Sequence, residues 1–133
     1  IMSNKVHKAV LIDDSDIDLF IQRRFLEVYD FSESLAVYKS ARDALHWLET
    51  TNGDAPPDLI FLDLNMPDVD GFTFLKLFDS LPEVVTKKTR IVVLTSSNSS
   101  SDREEAMKNR NVIQFITKPL KESDLESLQE MIS

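Results

Sequence analysis

Five short apolar runs, each followed by a stretch with helical spacing, constrain this chain more than any other feature of its sequence. The runs cover positions 9–12, 35–38, 59–62, 91–94 and 112–116 and are rich in Val, Ile, Leu, Phe or Tyr. Most are continuous rather than alternating, which is the pattern of a parallel sheet covered on both faces. After the first run, Ile17, Phe20, Ile21, Phe25 and Val28 follow the i, i+3, i+4 rule behind Ser15, a candidate N-cap. Ala41, Ala44, Leu45 and Leu48 repeat the pattern after Ser40, and Phe74, Leu75 and Phe78 do so after Gly71. Ser101 and Glu104 read as a capping box before Ala106 and Met107. Leu125, Leu128 and Ile132 form the apolar stripe of a last helix.

Strand and helix therefore alternate five times. That predicts a doubly wound α/β fold with a parallel five-stranded sheet and right-handed crossovers. Five such strands commonly take the flavodoxin-like order 2-1-3-4-5, which opens a ligand crevice between strands 1 and 3. The length, 133 residues, suits one domain over 1–133. The absence of cysteine excludes a disulfide scaffold, a thiolate metal site and a cysteine nucleophile, and fits a reducing compartment. Fifteen basic residues against 23 acidic ones leave a net charge of −8, which argues against nucleic acid and anionic membrane as partners. No apolar run nears the roughly 20 residues that cross a bilayer, and no signal-peptide core is seen. The expected location is the cytoplasm. Ile1 precedes Met2 and reads as an addition to the natural start.

The residues that end the strands carry the chemistry. Strand 1 ends in Asp13 and Asp14, strand 3 in Asp63, strand 4 in Thr95 and strand 5 in Lys118. In a parallel sheet these ends share one edge, so three carboxylates, a hydroxyl and an ammonium converge there. Clustered carboxylates repel one another unless a cation joins them, and hard oxygen donors suit Mg²⁺. A magnesium ion, a lysine and a hydroxyl together describe a phosphoryl-binding site. With only Gly53 and Gly71 in the chain, no glycine-rich nucleotide loop is available. Lys39 follows the outer strand and reads as solvated. His7 and His46 stand apart from the carboxylates and read as neutral. Taken singly, an Asp pair starts helices and turns, Thr95 could cap a loop, and Lys118 could be a surface lysine.

Together the motifs LIDDSD, LIFLDLNMPDVDG, VVLTSS and ITKPL resemble the receiver domain of two-component response regulators, in particular a stand-alone receiver of the chemotaxis type. The resemblance spans essentially the whole chain. It implies that Asp63 is the phosphoacceptor and takes a phosphoryl group from a sensor histidine kinase or His-phosphotransfer protein. It implies that Asp14 and Asp63 ligate Mg²⁺ directly, Asp13 through water, and Asn65 through its backbone carbonyl. Lys118 then pairs with a phosphoryl oxygen, Thr95 turns to another, and Phe115 is the switch aromatic that follows Thr95 inward. Asn65 and Ser97 match positions that tune phosphoryl lifetime, and the Lys118–Pro119 peptide is expected to be cis. The family's target surface comprises the fourth helix, the fifth strand and the last helix.

The resemblance implies a signalling domain rather than an enzyme. No output domain is expected after the last helix, so a downstream protein target must read the signal, with the domain a monomer or a phosphorylation-dependent homodimer. Two rivals share this chemistry. One is a Mg²⁺-dependent phosphohydrolase, for which Asn65 stands where a general acid is wanted; the other is a receiver fold that works unphosphorylated. One departure stands out. Asn109-Arg110-Asn111 replaces the Gly-Ala pair common before strand 5; asparagine tolerates the left-handed backbone a helix C-cap needs, so the turn can still form, with an altered surface on the fourth helix and fifth strand.

Overall fold

The computed structural model describes residues 5–50 and 55–132, so Ile1 lies outside them. Five strands are present: β1 (Val6–Ile12), β2 (Ser32–Tyr38), β3 (Leu59–Leu62), β4 (Arg90–Thr95) and β5 (Val112–Thr117). They pair in parallel in the order β2-β1-β3-β4-β5. Each apolar run read from the sequence lies within one of these strands. β3 is the shortest and has no exposed position, as a central strand covered on both faces requires.

Six helices accompany the strands among the described residues: α1 (Asp16–Val28), α2 (Ala41–Glu49), α3 (Gly71–Phe78), α4 (Glu83–Thr86), α5 (Ser100–Met107) and α6 (Glu122–Ile132). The short α4 is additional to the five-helix expectation. It is a single turn behind Pro82, anchored by the buried Val85. Its Thr86 carbonyl accepts from Asn111 Nδ2 at 2.7 Å, and the same amide reaches the Thr89 carbonyl at 2.9 Å.

Side chains alternate across the strands, so the core divides into two clusters on opposite faces. Val10, Ile12, Ile60, Leu62, Ile91 and Val93 meet α2, α3 and α5 on one face. Ala9, Leu11, Leu59, Phe61, Val92 and Leu94 meet α1 and α6 on the other. Ser15 caps α1 through its hydroxyl, as the sequence predicts, and Ser40 caps α2 in the same way.

Two local expectations are corrected, and the Asn109 corner forms by a side-chain route. The stripe assigned to α1 faces solvent: Ile17 and Phe20 are each 71% exposed, and Ile21 and Val28 are exposed as well. The buried positions are Leu19, Gln22 and Leu26, which repeat at i, i+3 and i+7 on the opposite side of the same helix. Apolar spacing marked two faces here, and the shorter stripe packs on the sheet. The cap of α5 is Ser99, whose hydroxyl accepts from the Asp102 amide at 3.3 Å; Ser101 Oγ lies 2.9 Å from Ser99 Oγ instead of capping. Asn109 does not adopt a left-handed backbone, since the non-glycine residues that do so among those described are Asp30 and Asp68. Its side chain turns the corner instead, with Oδ1 accepting from the Asn111 amide at 2.9 Å and Nδ2 donating to the Leu75 carbonyl at 3.2 Å.

Candidate functional site

The crevice lies where β1 and β3 run side by side and end together. The Asp63 amide donates to the Ile12 carbonyl at 3.0 Å, and the Asp13 amide to the Tyr38 carbonyl at 3.1 Å. These two bonds extend the ladders by one residue and set Asp13 and Asp63 next to each other. Asp13 Oδ1 accepts from the Ser15 amide at 2.9 Å, which bends the chain from β1 into α1. Asp13 is 1% exposed and Asp63 6%, whereas Asp14 faces solvent.

Behind Asp63 the main chain folds tightly. The Gly71 amide donates to the Leu64 carbonyl at 2.9 Å. A Cβ on Gly71 would sit 2.6 Å from Leu64 Cα and 2.7 Å from the Asp63 carbonyl oxygen, so only glycine fits at the start of α3. Asn65, two residues past Asp63, is exposed, and its amide donates to Asp63 Oδ1 at 3.4 Å.

Lys118 reaches the same edge from the end of β5. Its amide donates to the Thr95 carbonyl at 2.8 Å, and the Lys118–Pro119 peptide is cis. Its Nζ lies 2.8 Å from Asp13 Oδ2, 2.7 Å from Asp18 Oδ2 and 3.8 Å from Asp63 Oδ2. Thr95 is fully buried at the end of β4, and its hydroxyl accepts from the Ser97 amide at 3.4 Å. Ser97 also donates to Asp102 at 2.7 Å and accepts, through its carbonyl, from Thr117 at 3.0 Å. Phe115 is buried in the cluster facing α5, with the Arg103 guanidinium 5.9 Å from its ring centroid.

Burial pushes the Asp63 carboxyl above its usual range. The Lys118 charge draws it down, Asp13 pushes it up again, and hydrogen bonds from Thr95 and Asn65 draw it down, leaving the net shift upward. For Lys118, burial acts to lower the pKa, but hydrogen bonds to Asp13 and Asp18 and the charges of Asp63 and Asp13 outweigh it and raise the value. One oxygen from each of Asp13, Asp14 and Asp63 lies within 4.8 Å of the others. This all-oxygen donor set, two members buried and one open to solvent, fits a hard divalent cation such as Mg²⁺.

The residues singled out in the sequence therefore gather at one edge, except Phe115, which lies behind it in the core. Sequence reading missed Asp18. It stands three residues after the helix cap Ser15, where an acid ordinarily reads as part of a capping box. Its backbone amide does bond the Ser15 hydroxyl at 3.2 Å, but its carboxylate goes to Lys118. Two more ion pairs edge this end of the molecule, Lys39 to Asp16 at 2.7 Å and Arg42 to Asp68 at 3.1 Å, both well exposed. A groove of about 240 Å³ adjoins the site, lined by Ile21, Phe25, Pro119 and Leu120 and sharing Asp18 and Lys118 with it.

A family model described as the response regulator receiver domain matches residues 9–130. Sensor histidine kinase CheAY of Helicobacter pylori is 31% identical over 112 residues, covering 84% of this chain and 13% of that protein. Hybrid signal transduction histidine kinase L of Dictyostelium discoideum is 25% identical over 126 residues, covering 95% of this chain and 7% of that protein. The chain spans between 7% and 36% of the length of the first curated relatives. Among solved structures, a two-component response regulator from Cytophaga hutchinsonii superposes with a TM-score of 0.88 at 26% identity, covering 96% of this chain and 97% of its own. A response regulator receiver protein from Dyadobacter fermentans gives 0.82 at 33% identity over 94% of each chain. The strand order, the acidic crevice and these matches agree: the chain belongs to the response regulator receiver domain family of two-component systems.

Proposed function

We propose that this chain, as a single receiver domain over 1–133, accepts a phosphoryl group on Asp63 and carries it as a signal to a protein partner in the cytoplasm. The observation that supports this most is the isolation of Asp63 at the base of the crevice. It is enclosed, it adjoins two further carboxylates, and one lysine amine stands 3.8 Å away. An Asp63 oxygen attacks the phosphorus of a histidine-borne donor, the P–N bond breaks, and the histidine nitrogen leaves with the electron pair. Lys118 pairs with one oxygen of the transferred group, and the Thr95 hydroxyl turns to another. Asp13, Asp14, Asp63 and the backbone carbonyl of Asn65 are the groups that would hold Mg²⁺, which supplies positive charge to the transferring oxygens.

The donor is a sensor histidine kinase or His-phosphotransfer protein. Its approach is supported by Ile17, Phe20 and Ile21, which expose an apolar face of α1 beside the crevice. On the far side, Thr95 and Phe115 link the acceptor to the surface of α5, β5 and α6, where the downstream partner reads the state. The active form is a monomer or a phosphorylation-dependent homodimer.

Acetyl phosphate with Mg²⁺, followed by intact mass, tests the assignment. One added phosphoryl mass in the wild type, absent in Asp63→Asn, is the expected result. A phosphoryl mass that persists in Asp63→Asn overturns it. Many turnovers on small phosphate esters would instead identify a phosphohydrolase.

A further inference from the structure

Asp18 has no part in the three-carboxylate cluster, and the family resemblance gives it no role. Its Oδ2 nevertheless makes the shortest contact that Lys118 Nζ has, 2.7 Å against 2.8 Å for Asp13 and 3.8 Å for Asp63. Asp18 projects from the first turn of α1, a rigid element whose start is fixed by the Ser15 cap. The Lys118 side chain is only 14% exposed, so few other positions are open to its amine.

We infer that Asp18 is a positioning residue that holds the Lys118 amine back from the acceptor carboxylate, at the point where it meets an incoming phosphoryl oxygen. The inference rests on Asp63 being the acceptor. An ammonium has three hydrogens to donate. Two go to Asp13 and Asp18, and at 3.8 Å the third makes no hydrogen bond to Asp63. The attacking oxygen is thus free of Lys118, and the gap leaves room for an oxygen of the transferred group. Asp13 is a weaker anchor for this purpose, because it is also one of the three oxygens suited to the cation. Asp18 has no such second demand. With Asp18 removed, the amine closes on Asp63. The nucleophile then enters a charge-assisted hydrogen bond that must break before attack, a ground-state interaction that slows the reaction.

The test uses the full chain as wild type, Asp18→Ala, Asp18→Asn and Asp18→Glu. Each is treated with acetyl phosphate at saturating Mg²⁺: an Asp63 oxygen bonds to phosphorus, the P–O bond to the acetyl group breaks, and acetate departs with the electron pair. Time courses of added mass give the rate, and crystal structures without Mg²⁺ give the Nζ–Asp63 distance. The expected rate falls about fivefold in Asp18→Ala, as suits the loss of one partly exposed ion pair, and less in Asp18→Asn. Asp18→Glu restores it to within about twofold, since its carboxylate reaches the same amine. In Asp18→Ala the amine moves to hydrogen-bonding distance of Asp63. A wild-type or faster rate in Asp18→Ala overturns the inference, as does a slower rate with the amine unmoved. Should Asp18→Ala not fold, Asp18→Asn is read by the same two criteria. If the wild type itself gains no phosphoryl mass, the acceptor reading fails, while the Lys118 position in the variants still decides whether Asp18 sets it.

Discussion

A carboxylate as enclosed as Asp63 is costly to ionise, and the protein carries that cost into its stability. The carboxyl binds its proton more tightly folded than unfolded, because its folded pKa is raised. Its contribution to stability is therefore fully present below the ordinary aspartate range and is lost as pH rises through the folded value. Asp63→Asn, uncharged at every pH, should be more stable than wild type at pH 7 without Mg²⁺, by about 1 kcal/mol or about 4 °C in melting temperature. The difference should vanish on acidification below the aspartate range; thermal melts across pH check this. Millimolar Mg²⁺ should raise the wild-type melting temperature and do so less in Asp63→Asn, which has lost one anionic ligand. Asp13, Asp14, Asp63 and Lys118 were legible in the sequence because each stands within two residues of the end of an apolar run, so a parallel sheet brings them to one edge. Asp18 was not. A helix-opening acid three residues after a serine has an adequate local explanation, and only the tertiary position of Lys118 shows where its carboxylate goes.

At the scale of elements, two helices separate packing from recognition. In α1, Leu26 is buried while Phe20 is 71% exposed. Leu26→Ala should lose about 3 kcal/mol in denaturant melts, as buried leucines do. Phe20→Ser should leave stability within about 0.5 kcal/mol. It should slow transfer from a protein phosphodonor while leaving the acetyl phosphate rate unchanged, which a paired time course measures. At the start of α3, Gly71→Ala forces a methyl against Leu64 Cα and the Asp63 carbonyl, both of them main chain. The loss should be about 2–3 kcal/mol, with slower phosphorylation because the backbone beneath Asp63, the proposed acceptor, moves. The α1 face was misread from spacing because both sides of that helix carry apolar residues at helical intervals. In α2 one side is apolar, and Ala41, Ala44, Leu45 and Leu48 were placed correctly. The single turn of α4 escaped because four residues are too few for a period, and the means by which Asn109 turns its corner, side-chain hydrogen bonds, leaves no mark on spacing.

For the molecule as a whole, strand order was the most legible feature. Continuous apolar runs demand cover on both faces, and alternation with helices leaves few ways to provide it. The two core clusters join through the strands they share, so unfolding should be one transition. Trp47 packs against the cluster facing α2, and far-UV circular dichroism reports all the helices; their melting curves should coincide, and separated midpoints would show the halves melting independently. Division of the core by the sheet has another effect. α1, which carries the proposed donor surface, rests on one layer, and α5 with Phe115 rests on the other. On the proposed roles, a lineage can redesign whom this domain informs while leaving intact whom it listens to, because mutations behind one face disturb the opposite one only through the backbone between them.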